Sequence, residues 1–480
     1  MKKLFGKTTA LLLVFVLAAA NVAIVGAADD VLELEYVPIR VAFERLGASV
    51  EWDADERSIT VAWQGNTAVL FVDNQNLYVN DEAETLHFNV FIDDGASFIH
   101  RDDHNRMLAA LLGLSENSQL GQTIVDANHL VPNFLEDFAI PGMAIAIVDV
   151  QNDFTWTQGF GLADTAQGIA VDADTVFGIG SVSKTFVAIA VMQLVENGII
   201  DLDVPIVEYL PDFSILPSPT GGDYRNITAR MLLTHTSGIF TQVDLTEDLF
   251  RYHYLSLEAH NPHFFNSFLE ILAQYSMEYP EGETFSYSNK AYVLLGVLVA
   301  AMTGDDGFFD GFVRYVDENI FEPTNMTRTS FVLDDALIPY LARPYVDTSE
   351  PEEYIFSNGL PASSMVSTAN DMAHFMHLLL ADDGALLAPG AIRQMMQPHD
   401  FNFADIGMEV GLGFAIIPSE AGFYATGHDG QRLHYEAFMF FDIESGVGVF
   451  VATNAFAGSI NRVAFFVGMT LLENAVAEKN

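Results

Sequence analysis

The sequence predicts an α+β protein in which a small domain precedes a large one. Strand-like segments occur at both ends of the region that follows residue 127, and apolar helices lie between them. A sheet built from both ends of a domain and covered by intervening helices is an α+β layer arrangement. Short alternating segments before residue 115 indicate a separate small α+β domain. A length of 480 residues suits two to three domains.

The composition is that of an ordered and strongly acidic protein. Half of the residues are apolar, and 65 acidic residues against 20 basic ones give a formal net charge of −45. Such a surface repels nucleic acid, anionic lipid and anionic wall polymers, and we expect no nucleic acid as a partner. The acids are scattered, which favours solubility in a saline medium over a specific cationic partner. Without cysteine, the chain has no disulfide, thiolate metal site or lipidated cysteine anchor.

Residues 1–27 are predicted to be a secretory signal peptide. Three lysines open the segment, an apolar stretch follows from Ala10 to Ala20, and Val25-Gly26-Ala27 offers small residues before a cut. An uncleaved membrane anchor is the alternative, because the apolar run extends through Ile24 and approaches spanning length. We therefore expect a secreted or cell-surface protein, membrane-tethered if the leader is retained.

Residues 30–114 are predicted to form the small domain. A short helix is expected from Tyr36 to Gly47, followed by strands at Ser49–Trp52, Ser58–Trp63, Ala68–Val72 and Leu77–Val79. The helix ends in Leu46-Gly47, and Leu112-Gly113 ends a similar segment. This arrangement resembles the copper amine oxidase N-terminal domain, which is attached to many secreted bacterial enzymes. The resemblance implies a stalk or wall-associated spacer without copper chemistry.

Residues 115–126 are polar and are predicted to be a linker to one large domain at 127–480. A helix is expected at Leu130–Phe138, and a hairpin from Met143–Val150 and Phe154–Gly161. Further strands are expected at Gly413–Ile417, Phe423–Thr426, Ala437–Asp442 and Val447–Thr453. A closing helix is expected at Ile460–Ala477.

The segment Phe177–Gly198 carries the first candidate site. Its helix is apolar on nearly every face, which is typical of a buried helix. Ser181 and Lys184, three residues apart at its first turn, share one face about 5–6 Å apart. A lysine kept neutral by burial can help to take the serine proton, and free N–H groups at the helix start favour negative charge beside Ser181. Ser181 is therefore the candidate nucleophile.

Two further motifs supply partners. Tyr287 and Asn289 lie in a Pro/Gly-rich loop before an apolar helix, where a phenolate could accept the serine proton and the amide could hold a substrate carbonyl. Gly427-His428-Asp429-Gly430 comes directly after a predicted strand. The backbone N–H of Gln431 could complete an oxyanion hole with the N–H of Ser181.

The order S-x-x-K, Y-x-N and H-x-G resembles that of the penicillin-recognising serine hydrolases, specifically the class C beta-lactamase-related family. The resemblance covers about residues 130–472. It implies an antiparallel sheet from both termini, flanked by helices, plus a helical subdomain. By the same resemblance, Ser181 is the acylated nucleophile, Lys184 its proton-relay partner and Tyr287 a general base and acid. Asn289, His428 and Gly430 would contact the substrate.

Departures from the family pattern bear on the substrate. His428 replaces the lysine of true beta-lactamases, so carboxylate recognition would depend on pH through the histidine. Bulky residues follow Gly430, and Arg432 could restore a cation or fill the pocket. Ala362-Ser363-Ser364 stands where glycines are usual. These differences favour peptidase or esterase action over efficient beta-lactamase action.

We therefore expect a secreted serine hydrolase that forms an acyl-enzyme with D-amino-acid peptides, such as a peptidoglycan stem, or with small esters. The alternatives are a beta-lactamase proper and a penicillin-binding sensor of wall peptide without turnover. An alpha/beta-hydrolase is disfavoured, because the sequence around Ser181 lacks G-x-S-x-G.

Other polar residues are assigned no direct chemistry. His235 is interpreted as a residue that orders a turn under the site. His374 and His377, and the cluster of His100, Asp102, Asp103 and His104, lack a third metal ligand placed by sequence. We expect no metal and no cofactor.

Overall fold

The computed structural model describes most of the chain. The described residues are 36–40, 43, 48–63, 66–93, 96–100, 103–104, 107, 110–111, 119–240, 264–304, 308–346, 360–399, 407–432, 434–455 and 462–477. The predicted signal peptide at 1–27 lies outside them. The chain divides into two compact units, Met1–Gly121 and Gln122–Asn480.

The first unit contains eight short strands in its described part. They are β1 (Tyr36–Pro38), β2 (Ser49–Asp53), β3 (Ser58–Trp63), β4 (Asn66–Phe71), β5 (Asn76–Val79), β6 (Glu82–Thr85), β7 (Phe91–Asp93) and β8 (Ala96–His100). Strands β2 to β6 form a five-stranded antiparallel meander, and β1, β8 and β7 form a second sheet. Apolar residues on one face of the meander, such as Ile59 and Val61, are buried. The four strands predicted from alternation are confirmed.

The predicted helix at Tyr36–Gly47 is wrong at its start. Tyr36–Pro38 is a strand that pairs antiparallel with β8. The residue before a proline is pushed towards extended geometry, so Val37 disfavours a helix here. Helical backbone begins at Ile39, and most of residues 41–47 lie outside the described part.

The second unit is built on an eight-stranded antiparallel sheet. Its strands are β9 (Gly142–Asp149), β10 (Phe154–Asp164), β11 (Ile169–Ala170), β14 (Glu409–Val410), β15 (Ala415–Pro418), β16 (Tyr424–Arg432), β17 (Tyr435–Asp442) and β18 (Val447–Thr453). The order is β11-β10-β9-β18-β17-β16-β15-β14, so the N-terminal hairpin joins the C-terminal strands where β9 pairs with β18. The prediction of one sheet from both ends is confirmed. A separate pair joins β12 (Phe177–Gly178) to β13 (Val366–Ser367).

Helices cover both faces of this sheet. In chain order the described helices are α1 (Gln119–Asp137), α2 (Ser183–Glu196), α3 (Ala229–Leu233), α4 (Phe264–Leu272), α5 (Asn289–Met302), α6 (Phe308–Val316), α7 (Leu360–Ser363), α8 (Ala369–Ala381), α9 (Ala391–Met395) and α10 (Val463–Val476). Helices α2 and α5 are buried along most of their length, as their continuous apolar sequence predicts. None of the helices in these ranges is long and apolar enough to cross a membrane.

The predicted linker at 115–126 is helical over its second half, because α1 begins at Gln119. Leu120, Ile124 and Val131 recur at helical spacing among polar neighbours, and all three are buried. The linker was predicted from the mostly polar composition of residues 115–126, which did not reveal this apolar stripe. Residues 112–118 lie outside the described part.

Helix α10 lies close against the sheet because it carries a glycine at the contact. A Cβ atom added to Gly468 would lie 2.2 Å from Cδ1 of Phe438 on β17. Phe438 is fully buried, so its ring cannot swing into solvent. On the opposite face, the glycine at Gly448 of β18 faces Met376 and Leu380 of α8. Small residues therefore set the spacing between the helical layers and the sheet.

We expect Gly468→Ala to lower the free energy of unfolding by about 1–3 kcal/mol, because overpacking displaces Phe438. An alanine in an ordinary helix interior stabilises instead, so the sign is informative. Urea unfolding measures the change. Thr470→Ala, at an exposed position of the same helix, is the control and should not destabilise. A stabilised Gly468→Ala variant would contradict the close contact.

Candidate active site

Ser181 lies in a tight turn between the paired strand β12 and the buried helix α2. The turn Gly180–Val182 is a 3-10 turn, and the α-helix proper begins at Ser183. The prediction that Ser181 lies in the first α-helical turn is therefore off by one short turn. Gly180 has φ +52°, a left-handed conformation that glycine adopts at little cost. The turn leaves Ser181 half-buried, with its side chain directed at Lys184.

Lys184 is fully buried and touches three different segments. Its Nζ lies 3.0 Å from Ser181 Oγ, 2.7 Å from Asn289 Oδ1 and 2.8 Å from the carbonyl oxygen of Ala362. Burial holds the pKa of Lys184 well below its ordinary value, against an opposing attraction from Asp429. A neutral amine has two N–H bonds and one lone pair. If the two N–H groups donate to Asn289 and Ala362, the lone pair faces the Ser181 hydroxyl.

The ring of Tyr287 also lies next to the amine of Lys184. The Lys184 Nζ is 4.9 Å from the centroid of the Tyr287 ring. Burial raises the pKa of Tyr287 above its ordinary value, and a hydrogen bond with the Ser181 side chain only partly opposes this. Since burial disfavours both the ammonium and the phenolate, the resting site favours a neutral lysine and a protonated phenol.

Asn289 is the first residue of α5. Ser288 caps this helix by accepting the N–H of Ala291, which fixes the start of α5 beside the lysine. Asn289 is exposed, and its Oδ1 is used by Lys184. Its side-chain NH₂ group is then the part of the amide that can donate to a substrate carbonyl.

The glycine-rich third motif lies inside a strand, not after one. Strand β16 runs from Tyr424 to Arg432 and pairs with β17 along the whole motif. The predicted end at Thr426 is therefore wrong. Glycine clusters usually mark turns, but here they permit close contacts: a Cβ atom on Gly427 would lie 2.0 Å from the carbonyl oxygen of Met439.

Strand β16 lies directly against the Ser181 turn. A Cβ atom on Gly430 would lie 2.0 Å from the carbonyl oxygen of Ile179 and 2.9 Å from the Ser181 nitrogen. A Cβ atom on Gly180 would lie 2.6 Å from the Gln431 nitrogen. The two backbone amides named from the sequence, those of Ser181 and Gln431, are thus brought to the same place. Two such N–H groups can stabilise a developing oxyanion.

His428 is nearly buried and faces Tyr287, with 6.1 Å between the ring centroids. Its Nδ1 contacts the carbonyl oxygen of Asp429, and since a carbonyl only accepts, Nδ1 carries the proton. Burial lowers the pKa of His428 to about 4, and the attraction of Asp429 only partly opposes this. The ring is therefore neutral at physiological pH. It offers Nε2 as an acceptor, and it supplies no pH-dependent cation for a carboxylate near neutrality.

Two contacts of the site were not foreseen from the sequence. The Ala362 carbonyl, at the end of α7, holds Lys184. Arg432, at the end of β16, donates from Nη1 to Ser363 Oγ at 3.1 Å. The sequence drew attention to Ala362-Ser363 because glycines are usual there in the family. No local pattern, however, predicts that α7 packs against α2.

His235 orders the loop that carries Tyr287, as the sequence indicated. Its Nδ1 accepts the backbone N–H of Ser288 at 3.0 Å, and its carbonyl oxygen accepts the N–H of Ser286 at 2.8 Å. His235 has φ +57°, a strained conformation for a residue with a side chain. Burial keeps the pKa of His235 well below its ordinary value, so Nδ1 stays available as an acceptor.

Two other groups of polar residues were considered as metal ligands from the sequence. His374 and His377 lie on α8, and Asp102 of the other cluster is outside the described residues. Within the described ranges, no group of three or more His, Asp or Glu side chains is placed to hold a metal ion.

The fold and the Ser–Lys–Tyr arrangement define a serine hydrolase. The family model described as Beta-lactamase matches residues 127–465, and the chain belongs to this family. The model described as Copper amine oxidase N-terminal domain matches residues 33–117. Both resemblances stated from the sequence are confirmed.

Individual relatives agree with the family. Penicillin-binding protein 4 of Amycolatopsis lactamdurans is 28% identical over 308 residues, which cover 61% of this chain and 74% of that protein. A beta-lactamase of Yersinia enterocolitica is 28% identical over 301 residues, covering 61% and 69%. In bacterial curated relatives the matched region spans 62% to 74% of their length.

A solved structure shows the same fold. The beta-lactamase/D-alanine carboxypeptidase of Pseudomonas syringae superposes with a TM-score of 0.59 at 18% sequence identity. The superposition covers 76% of this chain and all of that chain.

We expect Gly430→Ala to lower kcat about 100-fold, because its methyl group would separate β16 from the Ser181 turn and misplace an oxyanion donor. Hydrolysis of a nitrophenyl ester measures the effect, and circular dichroism checks that the variant is folded. Gln431→Ala is the matched control: it changes an exposed side chain and keeps the backbone N–H. Equal loss in the control would contradict the backbone role.

Proposed function

We propose that this protein is an extracytoplasmic serine hydrolase that acts through an acyl-enzyme on D-amino-acid peptides, such as peptidoglycan stems, or on small esters. The observation that carries the proposal is the fully buried Lys184 amine, 3.0 Å from the Ser181 hydroxyl. A lysine with a lowered pKa beside a serine is an activated nucleophile pair.

The roles of the residues follow from their protonation states. Ser181 Oγ attacks the substrate carbonyl while neutral Lys184 takes its proton. The backbone N–H groups of Ser181 and Gln431 stabilise the oxyanion. Tyr287, protonated at rest, donates its proton to the leaving group and is reprotonated by the ammonium of Lys184. Water then attacks the acyl-enzyme by the same route in reverse, and Ser181 is released.

The identity of the third-motif residue favours peptidase or esterase action over beta-lactamase action. True beta-lactamases of this type carry a lysine where this chain has His428. The neutral state of His428 leaves no fixed cation at that position for a substrate carboxylate. The matched beta-lactamase and the D-alanine carboxypeptidase show that related chains serve both chemistries. Beta-lactams are therefore proposed as slow acylating agents.

The region before the hydrolase unit is proposed to place it at the cell wall. The lysine-rich apolar leader at 1–27 supports secretion, and the copper amine oxidase N-terminal-like domain at 30–114 would act as a spacer. A wall location would bring the site to peptides that contain D-amino acids.

Brief exposure to benzylpenicillin should add one penicilloyl mass to the protein, and a short-chain nitrophenyl ester should be hydrolysed with turnover. Ser181→Ala should abolish both, because no acyl-enzyme can form. Intact mass spectrometry and release of the chromophore are the measurements. Ser276→Ala, at an exposed serine, is the control. A stable adduct without ester turnover would favour the sensor alternative. Absence of both the adduct and ester turnover would refute catalysis through Ser181.

The pH dependence should report Lys184. The neutral amine is the competent base, so kcat/KM should be high above the lowered pKa of Lys184 and fall as the pH drops through it. A pH series with the nitrophenyl ester tests this. Since the pKa of His428 is about 4, His428→Asn should leave the acid limb in place. A limb that disappears in this variant would assign it to the histidine instead.

A further inference from the structure

The strand that supplies Gly430 and Gln431 has a charged rear face. Side chains alternate along a strand, so His428 and Gly430 point to one face of β16 and Asp429 and Gln431 to the other. The first face also carries Met439, which lies opposite His428, and Phe441. Phe441 pairs with Gly448, which faces α8, so this face of the sheet is the one covered by α8. Phe438, opposite Asp429, contacts Gly468 of α10. Asp429 therefore points away from Ser181, towards α10.

Asp429 is paired with Arg462, the residue that precedes α10. The guanidinium Nη2 donates to the Asp429 carboxylate, and both side chains are about one third exposed. The Arg462 guanidinium also lies 4.5 Å from the centroid of the Phe465 ring, within cation–π range. The start of α10 is thus fastened to the residue between His428 and Gly430.

Glu436 adds a second carboxylate at the same place. It lies on β17 directly opposite Gln431 and is 2% exposed. Its Oε2 accepts the N–H of Ala464 at 3.1 Å, in the first turn of α10. A carboxylate at a helix N-terminus is stabilised by the free N–H groups and the helix dipole. Asp429, Glu436 and Arg462 are referred to below as the rear cluster.

The oxyanion geometry leaves little room for movement of this strand. Gly430 and Gln431 approach the Gly180–Ser181 backbone so closely that a single methyl group would not fit. Oxyanion donors act at 2.7–3.1 Å, so a displacement of about 1 Å costs a large part of their effect. The Asp429–Arg462 pair holds the same strand from behind, and Glu436 fastens the neighbouring strand β17 to the first turn of α10. We propose that the rear cluster is a positioning device that fixes the Gly430–Gln431 backbone against Ser181 and thereby sets the rate of acylation.

The charge of Glu436 supports this role. Burial raises the pKa of Glu436 to about 7, with the Asp429 carboxylate raising it further and Arg462 and the helix N–H groups lowering it. Among the described residues, Asp429 and Gln431 face it from β16, and Arg462 and the N–H groups of Val463 and Ala464 face it from the start of α10. Because its pKa is raised, Glu436 is protonated below pH 7 and gains its charge as the pH rises through 7. Only above that pH does Glu436 carry the charge that attracts Arg462.

The inference rests on the proposed function, and its test separates the two. Asp429→Asn and Arg462→Gln should each lower kcat for the nitrophenyl ester and the rate of benzylpenicillin acylation about tenfold, with KM changed less than twofold. The double variant should be no worse than either single variant, because the two residues act as one unit. Asp203→Asn and Arg230→Gln break a comparable ion pair away from β16 and are the controls.

Amide hydrogen exchange of the segment 427–432 gives a readout that needs no turnover. Exchange should be about tenfold faster in Arg462→Gln than in the wild type, and unchanged in Arg230→Gln. If the wild type proves inactive but exchange is still faster in Arg462→Gln, the proposed function is refuted and the positioning role is kept. Unchanged exchange and unchanged kcat in folded variants would overturn the rear cluster as a positioning device.

Glu436→Gln tests the charge itself. The amide oxygen can still accept the Ala464 N–H, so the fold should hold. At pH 8 this variant should have the lower kcat that the wild type shows at pH 6. Its kcat should therefore not rise as the pH passes through 7. The acid limb from Lys184 should remain. A pH profile identical to that of the wild type would exclude Glu436 from the cluster.

Discussion

The buried amine of Lys184 is the interaction on which the site depends. It joins the nucleophile turn, the first residue of α5 and the end of α7 through three contacts of 2.7–3.0 Å. A buried charged lysine would be costly, whereas a neutral one is satisfied by two carbonyl oxygens and one hydroxyl. The same burial that fixes the geometry also lowers the pKa of the amine. Structure and chemistry are therefore set by one desolvated group.

The second constraint is the contact between β16 and the turn at Gly180. Glycines on both sides allow two backbone segments to meet without side chains between them. One side of β16 faces the nucleophile, while the other carries the Asp429–Arg462 pair against α10. Because α10 packs through Gly468 on Phe438, the spacing of the last helix is transmitted to the strand that bears Gln431. The C-terminal helix is thus part of the support of the site.

Much of the fold followed from periodicity alone. Four of the five strands of the N-terminal meander, the first hairpin and strand β18 were predicted nearly to their ends, because their alternation or apolar runs are strong. The polar strand β6 was not predicted. The errors occurred where local signals compete with tertiary ones. The polar average around residues 115–126 concealed the start of α1, Val37-Pro38 forms a strand where a helix was expected, and the glycines of 427–430 suggested a strand end inside β16.

The sequence by itself determined the candidate residues of the site and their order, because S-x-x-K and Y-x-N place reactive groups at spacings that local geometry brings together. The sequence could not decide whether Lys184 or Tyr287 holds the proton. That depends on desolvation: only the packed structure shows Lys184 fully buried and Tyr287 kept protonated, since burial is a property of the surroundings and not of the motif. Nor could it show the Ala362 carbonyl or the Asp429–Arg462 pair, because these contacts join segments that are distant in sequence and are made only when the sheet and its helices pack.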